Sequence, residues 1–525
     1  MAVDYVIVGS GINALVAAAL LGKKGKKVLL LERNDRIGGC IRTEAITAPG
    51  FTHDVMATTF VLFVTSPAYA ALAGDLAARG LEFAHSPLPT GVLLPDGRHQ
   101  VFAMDRARNI AAFEALAAGD GARYRADMDR LGADAPFLFS LLGGSLWSWS
   151  MLKIIAREMW KRGPRGLATF FGQALLPARA WLEQRYRSDL FRALWAPWVL
   201  HCGLGPESAY SGQMAKVVAF ALEAAGAPIV KGGAQKLLQA FETLIKDNAG
   251  EIRTSADVAA ILLDASGAAR GVRLADGTEI AAAQGVICSV TPNQLYERLL
   301  SHAPRRPETA DALAGFRYGK GNMQIHYALK RAPDWGDPNL AKVALLHLTP
   351  GLDGVSKAAN EAERGMLPAE PTVCVGQPTA LDPSRAPDGA AILWLQLPEA
   401  PRFIKGDAAG EITAPADGRW SEDIRERFAD RVEALLAHHV KGFRDLVIAR
   451  KAYSPADLES FNVNLVGGDP YGGYCGIDQF FLWRPLPGVV NHRTDVPRLY
   501  HIGASTHPGP GLGGGSGFLV AQALG

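Results

Sequence analysis

The chain has 525 residues, which is long enough for two or more domains with a large core. Its formal net charge of +2 excludes the strongly basic surface typical of nucleic-acid-binding proteins, so no nucleic-acid partner is expected. The five cysteines lie far apart with no Cys-x-x-Cys pair, which argues against a redox disulfide and a Cys-based metal centre, and no metal site is predicted.

The first predicted elements are a strand, a glycine turn and a helix. Tyr5–Val8 is a short apolar run typical of a buried parallel strand, and the Ala/Leu-rich residues 14–21 predict a helix. Between them stands a Gly-x-Gly-x-x-Ala turn formed by Gly9, Ser10, Gly11, Ile12, Asn13 and Ala14. Gly9 permits the tight turn and Gly11 lets the backbone approach a pyrophosphate at the helix N-terminus.

A second predicted strand, residues 27–31, ends at Glu32. Glu32 follows Gly11 by 21 positions, where a carboxylate can accept a hydrogen bond from a ribose 2′-OH. Strand, turn, helix, strand and acid in this order predict a dinucleotide-binding site. Glu32 would repel a 2′-phosphate, which argues against NADP.

A second glycine motif distinguishes FAD from NAD. Gly38 and Gly39, followed by Arg42 and Thr43, resemble the second FAD-contacting motif of the amine oxidase and phytoene desaturase superfamily. The two glycines allow close backbone approach to a diphosphate, and Arg42 can supply charge to the phosphates. The resemblance implies FAD, with Arg33 also among its contacts.

The stretch after this motif, residues 50–54, approaches the flavin edge in the resembled family. His53 and Asp54 are therefore candidate active-site residues, with a surface loop as the alternative. Residues 66–80 and 105–132 predict helices, with a hairpin between them.

Residues 136–200 are rich in tryptophan. Six of the ten tryptophans fall here: Trp147, Trp149, Trp160, Trp181, Trp195 and Trp198. The apolar stretch 136–147 is too short for a membrane-spanning helix. Lys and Arg residues between 153 and 165 suit a membrane interface, and a helical substrate domain with a tryptophan core is the alternative.

A returning segment completes the predicted nucleotide-binding domain. Residues 251–289 predict strands and a hairpin, in an order that resembles the family's returning segment, where a Val at the position of Val258 contacts the adenine side. The predicted fold class is α/β. Its discontinuous Rossmann-type FAD-binding domain comprises residues 1–90, 221–290 and 490–525, and its mixed-sheet and helical substrate domain comprises residues 91–220 and 291–489, with the Trp-rich helical part at 136–200.

The later part of the substrate domain predicts a sheet. Strand patterns between 315 and 400 fit a mixed sheet over a cavity, with His326 and His347 as hydrogen-bonded sheet histidines, and a helix is predicted near 423–439. His201 and Tyr210 are further candidates for the cavity wall.

The C-terminal stretch carries a second strong motif. A strand at 499–504 leads to a turn with five glycines between 509 and 515, and then to a helix near Phe518. A glycine turn entering a helix N-terminus suits the negative charge of a reduced flavin. The stretch resembles the C-terminal signature of bacterial phytoene desaturases, retinol saturase and their relatives. Upstream, residues 454–459 and 478–488 resemble the pyridine-nucleotide-disulphide oxidoreductase-domain relatives more closely. The C-terminal signature implies FAD contacts from Gly503, Ala504, Leu512 and Gly513.

The motifs limit the chemistry. A second Rossmann signature and a Cys pair are both missing from the sequence, so no pyridine-nucleotide-disulphide reductase activity is expected. Electrons would pass from flavin to oxygen or a quinone, or return to the substrate in an isomerisation. The first candidate for a general base or orienting group is His507, with a structural role as the alternative, followed by Trp483 and Arg484.

The first function hypothesis is an FAD-dependent oxidoreductase that desaturates, saturates or isomerises a bulky apolar substrate, polyene-like or aromatic, by hydride transfer. An amine or alcohol oxidase and a non-catalytic FAD-binding scaffold are the alternatives. Because the first strand begins within a few residues of Met1, no signal peptide is expected. The expected location is the cytoplasm, with peripheral contact at the inner face of the membrane left open, as is the oligomeric state.

Overall fold

The computed structural model describes residues 3–525, in which most strands belong to two seven-stranded sheets. The strands are β1 Val3–Val8, β2 Val28–Leu31, β3 Thr43–Glu44, β4 His53–Asp54, β5 Phe83–Ala84, β6 Thr90–Leu93, β7 His99–Phe102, β8 Ile229–Val230, β9 Glu251–Arg253, β10 Val258–Leu263, β11 Ala269–Leu274, β12 Glu279–Ser289, β13 Gly321–Leu329, β14 Leu345–Leu348, β15 Met366–Leu367, β16 Val373–Gly376, β17 Ala391–Ala400, β18 Gly406–Asp407, β19 Val447–Tyr453 and β20 Leu499–Ile502.

Helices cover both sheets and form a layer of their own. They are α1 Ile12–Lys23, α2 Val61–Val64, α3 Pro67–Ala77, α4 Arg106–Leu116, α5 Asp120–Gly143, α6 Trp149–Ala174, α7 Ala178–Arg185, α8 Asp189–Trp195, α9 Ser211–Ala225, α10 Gln235–Asp247, α11 Pro307–Ala314, α12 Leu352–Glu363, α13 Pro378–Leu381, α14 Glu422–His439, α15 Phe443–Leu446, α16 Pro455–Phe461 and α17 Gly515–Leu524. Short 3₁₀ turns include Ala196–Cys202 and Phe481–Trp483.

The first sheet has the order β10-β11-β12-β1-β2-β9, with β20 paired to β12. Strands β12, β1, β2 and β9 are parallel neighbours, and β20 is parallel to β12. The central strands β1 and β2 and the second half of β12 are apolar and buried on both faces, because α1 and α10 cover one face and residues of β10 and β11 pack against the other. The carboxyl ends of β1, β12 and β20 therefore meet at one edge, which is where nucleotides bind in such sheets.

The second sheet has the order β19-β13-β17-β16-β14-β6-β7 and is mainly antiparallel. One face is apolar and packs on α14, where Phe428 and Val432 are fully buried. The other face is more polar. A row of directly opposite residues crosses it from β6 to β19, formed by Val92, His347, Cys374, Gln396, Gln324 and Tyr453.

The Trp-rich segment divides into a buried and an exposed part. Trp181, Trp195 and Trp198 are buried in a core with helices α5, α8 and α9, as the helical-domain alternative requires. Trp149 and Trp160 lie on α6 and are 80% and 93% exposed. In residues 3–525, no helix is both long and apolar enough to cross a bilayer.

The expected helix at 105–132 is two helices. Gly119 has φ of +88° in the left-handed region and precedes α5, so the chain turns between α4 and α5. Helix α5 then continues through Pro136 to Gly143, beyond the predicted end at 132.

Candidate FAD site

The first glycine turn has the shape of a phosphate cradle. Gly9 has φ of +89°, and a Cβ there would lie only 2.9 Å from the carbonyl oxygen of Ser289 on β12. Gly11 is the N-cap of α1, makes no side-chain cap hydrogen bond, and has open space where its Cβ would point. The first-turn amides of Ile12, Asn13 and Ala14 are thus left without a side-chain cap at the positive end of α1.

The second glycine motif lies directly against the first. Gly39 has φ of +61°, and a Cβ there would lie 3.2 Å from the Cα atom of Gly11. The Gly38 amide donates to Ser10 Oγ at 3.0 Å. The two motifs therefore form one continuous surface, and a larger residue in place of Gly11 or Gly39 would block it.

Glu32 is buried at the end of β2 and held by the first turn. Its Oε2 atom accepts hydrogen bonds from the Ser10 amide at 3.1 Å and from Ser10 Oγ at 2.6 Å. Its Oε1 atom accepts one bond, from the Asn34 amide at 2.9 Å. A carboxylate oxygen has two lone-pair directions, so Oε1 retains one for a ribose hydroxyl. Arg33 beside it is exposed.

Arg42 borders a cleft of about 140 Å³ beside Gly39. Its Nε atom donates to Glu44 at 2.6 Å, and its guanidinium lies over the Phe461 ring at 4.6 Å. Val258, at the start of β10, is buried, and its carbonyl accepts a bond from Arg298 at 2.9 Å. Arg42 is thus placed where it can contact a diphosphate, whereas the Val258 carbonyl already has a partner.

The C-terminal turn joins the first glycine turn. Gly503 follows β20 with φ of +113°, and its amide donates to Ser516 Oγ at 2.9 Å. Ser516 Oγ in turn donates to Asn13 Oδ1 at 2.8 Å. A Cβ on Gly517 would overlap the Asn13 carbonyl, so α17 packs tightly against the start of α1.

Helix α17 has a second uncapped N-terminus. Its N-cap, Gly514, has φ of +69° and makes no side-chain cap hydrogen bond. Leu512, with φ of +65°, and Gly513 lead into it, and a Cβ on Gly513 would lie 3.4 Å from the Leu62 carbonyl. Ala504 follows Gly503 and its carbonyl accepts bonds from Arg484. The amino ends of α1 and α17 therefore bring two positive dipole ends close together.

Asp54 is held in a buried hydrogen-bond network, which supports a structural role, while its catalytic role stays a prediction. Its carboxylate accepts from Thr43 Oγ1 at 2.6 Å and from the Ala234 amide at 2.9 Å. It also forms an ion pair with Arg385 at 3.0 Å, and both side chains are fully buried. Thr43 Oγ1 in turn accepts from the Gln235 amide at 3.0 Å, so Thr43 joins this network.

His53 lies under the polar face of the second sheet. Its Nε2 atom is 2.7 Å from Thr47 Oγ1, and its ring meets that of His326 edge-on at 5.3 Å. His326 Nε2 donates to the Val55 carbonyl at 3.1 Å. Burial lowers the pKa of His53 to about 2 and that of His326 to about 4, so both rings are neutral at pH 7.

Some buried polar atoms near this segment have no partner within residues 3–525. They are His53 Nδ1, Thr58 Oγ1, Gln324 Oε1 and His326 Nδ1. Buried polar groups in folded proteins are normally hydrogen-bonded. These orphaned atoms, together with the open space at Gly11, fit a site that receives a large polar ring system and its diphosphate.

His507 lies at the C-terminal turn. It is buried, and its Nε2 atom donates to the Gly144 carbonyl at 2.9 Å. Burial lowers its pKa to about 4, so the ring is neutral and acts as a hydrogen-bond donor. The structural alternative for His507 therefore has a contact to support it, although its role in catalysis stays a prediction.

Arg484 and Trp483 differ in burial. Arg484 is buried and donates to the carbonyls of Ala504, at 2.8 Å, and Tyr471, so it connects two loops. Trp483 is 45% exposed on the surface. The contacts of Arg484 support a structural role, and the catalytic roles of both residues stay predictions.

One cluster was not predicted from the sequence. His201, His347 and Cys374 bring one donor atom each within 4.8 Å of one another. The His201 and His347 Nε2 atoms are 3.0 Å apart, and burial lowers both pKa values, that of His201 to about 4. A hydrogen bond between neutral rings explains this contact without an ion. His347 lies opposite Cys374 because of the register between β14 and β16, which the sequence alone does not predict.

The fold and the glycine site define the class of this protein: an FAD-dependent oxidoreductase. The chain belongs to the flavin-containing amine oxidoreductase family, whose model matches residues 15–455. This membership confirms the predicted fold class, the predicted FAD and the predicted enzyme class.

Similar proteins cover nearly the whole chain. Pyridine nucleotide-disulfide oxidoreductase domain-containing protein 2 of Mus musculus is 28% identical, over 99% of this chain and 93% of its own. Phytoene desaturase (neurosporene-forming) of Rhodobacter capsulatus is 26% identical, over 99% and 93%. A structure of putrescine oxidase bound to putrescine aligns with a TM-score of 0.60 at 16% identity, over 100% and 99% of the two chains, and shows the shared fold.

Proposed function

We propose that this protein oxidises, reduces or isomerises a bulky apolar substrate, polyene-like or aromatic, by hydride transfer with FAD. The observation that carries the proposal is the set of buried, neutral histidines beside the glycine site. Burial lowers the pKa of these histidines, among them His53, His201, His326, His347, His492 and His507. Neutral imidazoles do not attract a charged substrate, and they are compatible with a hydrocarbon.

The buried carboxylates of this region are also engaged. Asp54 is paired with Arg385, and Asp469 accepts bonds from the amides of Gly319, Tyr471 and Gly473. A site for an ammonium ion needs a free carboxylate or an aromatic cage. These two acids offer no free charge, so neither supplies the carboxylate that an ammonium ion needs.

Aromatic side chains pack beside the polar face of the second sheet. The interior core beside the polar sheet face includes Trp198, Tyr210, Trp394, Tyr471 and Phe480. Their rings exclude water and offer van der Waals contact to an extended apolar molecule. The similarity to a phytoene desaturase agrees with this interpretation.

The cofactor and the chain have separate roles. Bound FAD supplies the capacity to accept or return a hydride. The glycine turns bind its diphosphate, Glu32 orients a ribose, and the amino ends of α1 and α17 stabilise negative charge. His507 donates a hydrogen bond to Gly144 and so orders the loop before α6. Since hydride transfer between apolar carbons needs no strong base, neutral histidines are sufficient.

Oxygen or a quinone is the proposed electron acceptor. A cytoplasmic location is proposed as well, because the five cysteines are free, as expected in a reducing compartment.

Anaerobic flavin bleaching tests the proposal. The holoenzyme is mixed with an ultraviolet-absorbing polyene, an aromatic diol and a primary amine in separate experiments, and air is then readmitted. We expect bleaching by an apolar compound, with fast recovery in air for oxygen as acceptor and slow recovery for a quinone. Bleaching by the amine alone contradicts the proposal in favour of an amine oxidase. Bound FAD contradicts it in favour of a scaffold if the apolar compounds neither bleach the oxidised flavin, nor reoxidise the chemically reduced flavin, nor are isomerised.

A further inference from the structure

Helix α6 presents an apolar ridge to solvent. The ridge consists of Trp149, Leu152, Met159 and Trp160, all exposed. Trp149, Leu152 and Trp160 stand at spacings of three and eight, which places them on one side of a helix with 3.6 residues per turn. Exposed apolar surface of this kind, on one side of one helix, marks an interaction site.

The ridge faces solvent because the opposite face of α6 packs against α5. Met151 of α6 is buried with Phe137 and Leu141 of α5, and with Leu167 and Phe170 after the bend in α6. The bend is at Gly163, with φ of +69°, followed by Pro164. Helix α6 therefore packs against its own small core, and the ridge residues take no part in that packing.

Unpaired cations flank the ridge. Lys153, Arg157, Lys161 and Arg165 are all exposed. Within residues 3–525 none of these four forms an ion pair, whereas the neighbouring Arg162 pairs with Asp134 at 2.7 Å and Glu158 at 2.6 Å. Lys153, Arg157 and Lys161 follow one another at spacings of four, so they form a basic stripe along one edge of the ridge.

We propose that the ridge docks into the headgroup region of an anionic lipid bilayer. Tryptophan side chains favour this interface, and the basic stripe complements anionic headgroups. A two-fold contact in which the α6 helices of two copies run antiparallel would place both stripes on the same side, so like charges oppose that alternative. The docking stands independently of the proposed function.

Vesicle flotation of the full-length holoenzyme tests the docking. The probes are vesicles of phosphatidylcholine alone and of phosphatidylcholine with phosphatidylglycerol. We expect the wild type to float with the anionic vesicles and W149S/W160S to bind roughly tenfold or more weakly. The charge variant K153Q/R157Q/K161Q should lose about fivefold in affinity per cation for anionic vesicles alone. The matched control F403S/I448S, which removes exposed apolar residues elsewhere, should float as the wild type does.

Two results overturn the docking. In the first, the wild type does not float with vesicles of either composition. This result includes the case in which the wild type is a dimer and W149S/W160S is a monomer. The second is equal flotation of W149S/W160S and the wild type. FAD content, measured on every variant, shows that each one is folded. Flotation needs no turnover, so it stands or fails separately from the proposed function.

Discussion

Asp54→Asn distinguishes a structural from a catalytic role for this residue. The Asp54 carboxylate neutralises Arg385 at 3.0 Å with both side chains fully buried, and it accepts two further bonds from Thr43 and Ala234. An amide removes the charge and turns one acceptor into a donor. Breaking a buried ion pair costs about 3–5 kcal/mol, because the remaining charge stays buried.

The lower end of that range is expected here. Arg385 keeps a second carboxylate, since its Nε atom lies 3.0 Å from Asp382. We therefore expect the free energy of unfolding to fall by about 3 kcal/mol. The folded fraction should bleach with its substrate at a nearly unchanged rate.

Urea unfolding followed by tryptophan fluorescence measures the change. The FAD concentration is kept fixed, because bound FAD adds stability by mass action. Asp96→Asn is the control, since Asp96 pairs with Arg98 on the surface, and its unfolding curve should hardly move. Unchanged stability of Asp54→Asn together with a loss of bleaching would refute the structural role.

Three further predictions concern the cofactor and the histidines. Gly39→Val should abolish FAD binding, since its Cβ would press on Gly11, whereas Gly97→Ala, in an open hairpin turn, should keep a normal flavin-to-protein ratio. His507→Gln should retain FAD and lower the bleaching rate by less than about tenfold; a general base would cost roughly 10²–10⁴-fold. Because burial lowers the pKa values of His326 and His507 to about 4, the unfolded chain binds more protons than the native one between about pH 6.5 and 4. Stability measured by urea unfolding should therefore fall as the pH decreases through this window, while bleaching rates stay flat from about pH 6 to 8; a bell-shaped rate profile centred near neutrality contradicts the neutral interior.

The parts of the site that sequence predicts are local in the chain. Gly9, Gly11 and Glu32 belong to one strand–turn–helix–strand unit whose geometry follows from its residues. Contacts between distant segments were missed. Asp54 and Arg385 are 331 positions apart, and His201 and His347 are 146 apart.

The burial of individual tryptophans also depends on contacts that the sequence does not predict. Trp149, Trp160, Trp181 and Trp195 all stand in helical segments with apolar neighbours. Helical periodicity shows which residues share a face, but it does not say which face meets the core. The packing of α5 against α6 decides this, and it buries Met151 while it leaves Trp149 exposed.

The most direct test of the account is the kinetic isotope effect on anaerobic flavin bleaching. An ultraviolet-absorbing polyene, deuterated at its allylic carbons, is compared with the unlabelled compound in stopped flow. Hydride transfer from an apolar carbon to bound FAD predicts bleaching by both compounds, with the deuterated one clearly slower. Bleaching by amines together with inert polyenes would contradict the assignment of an apolar substrate to this site.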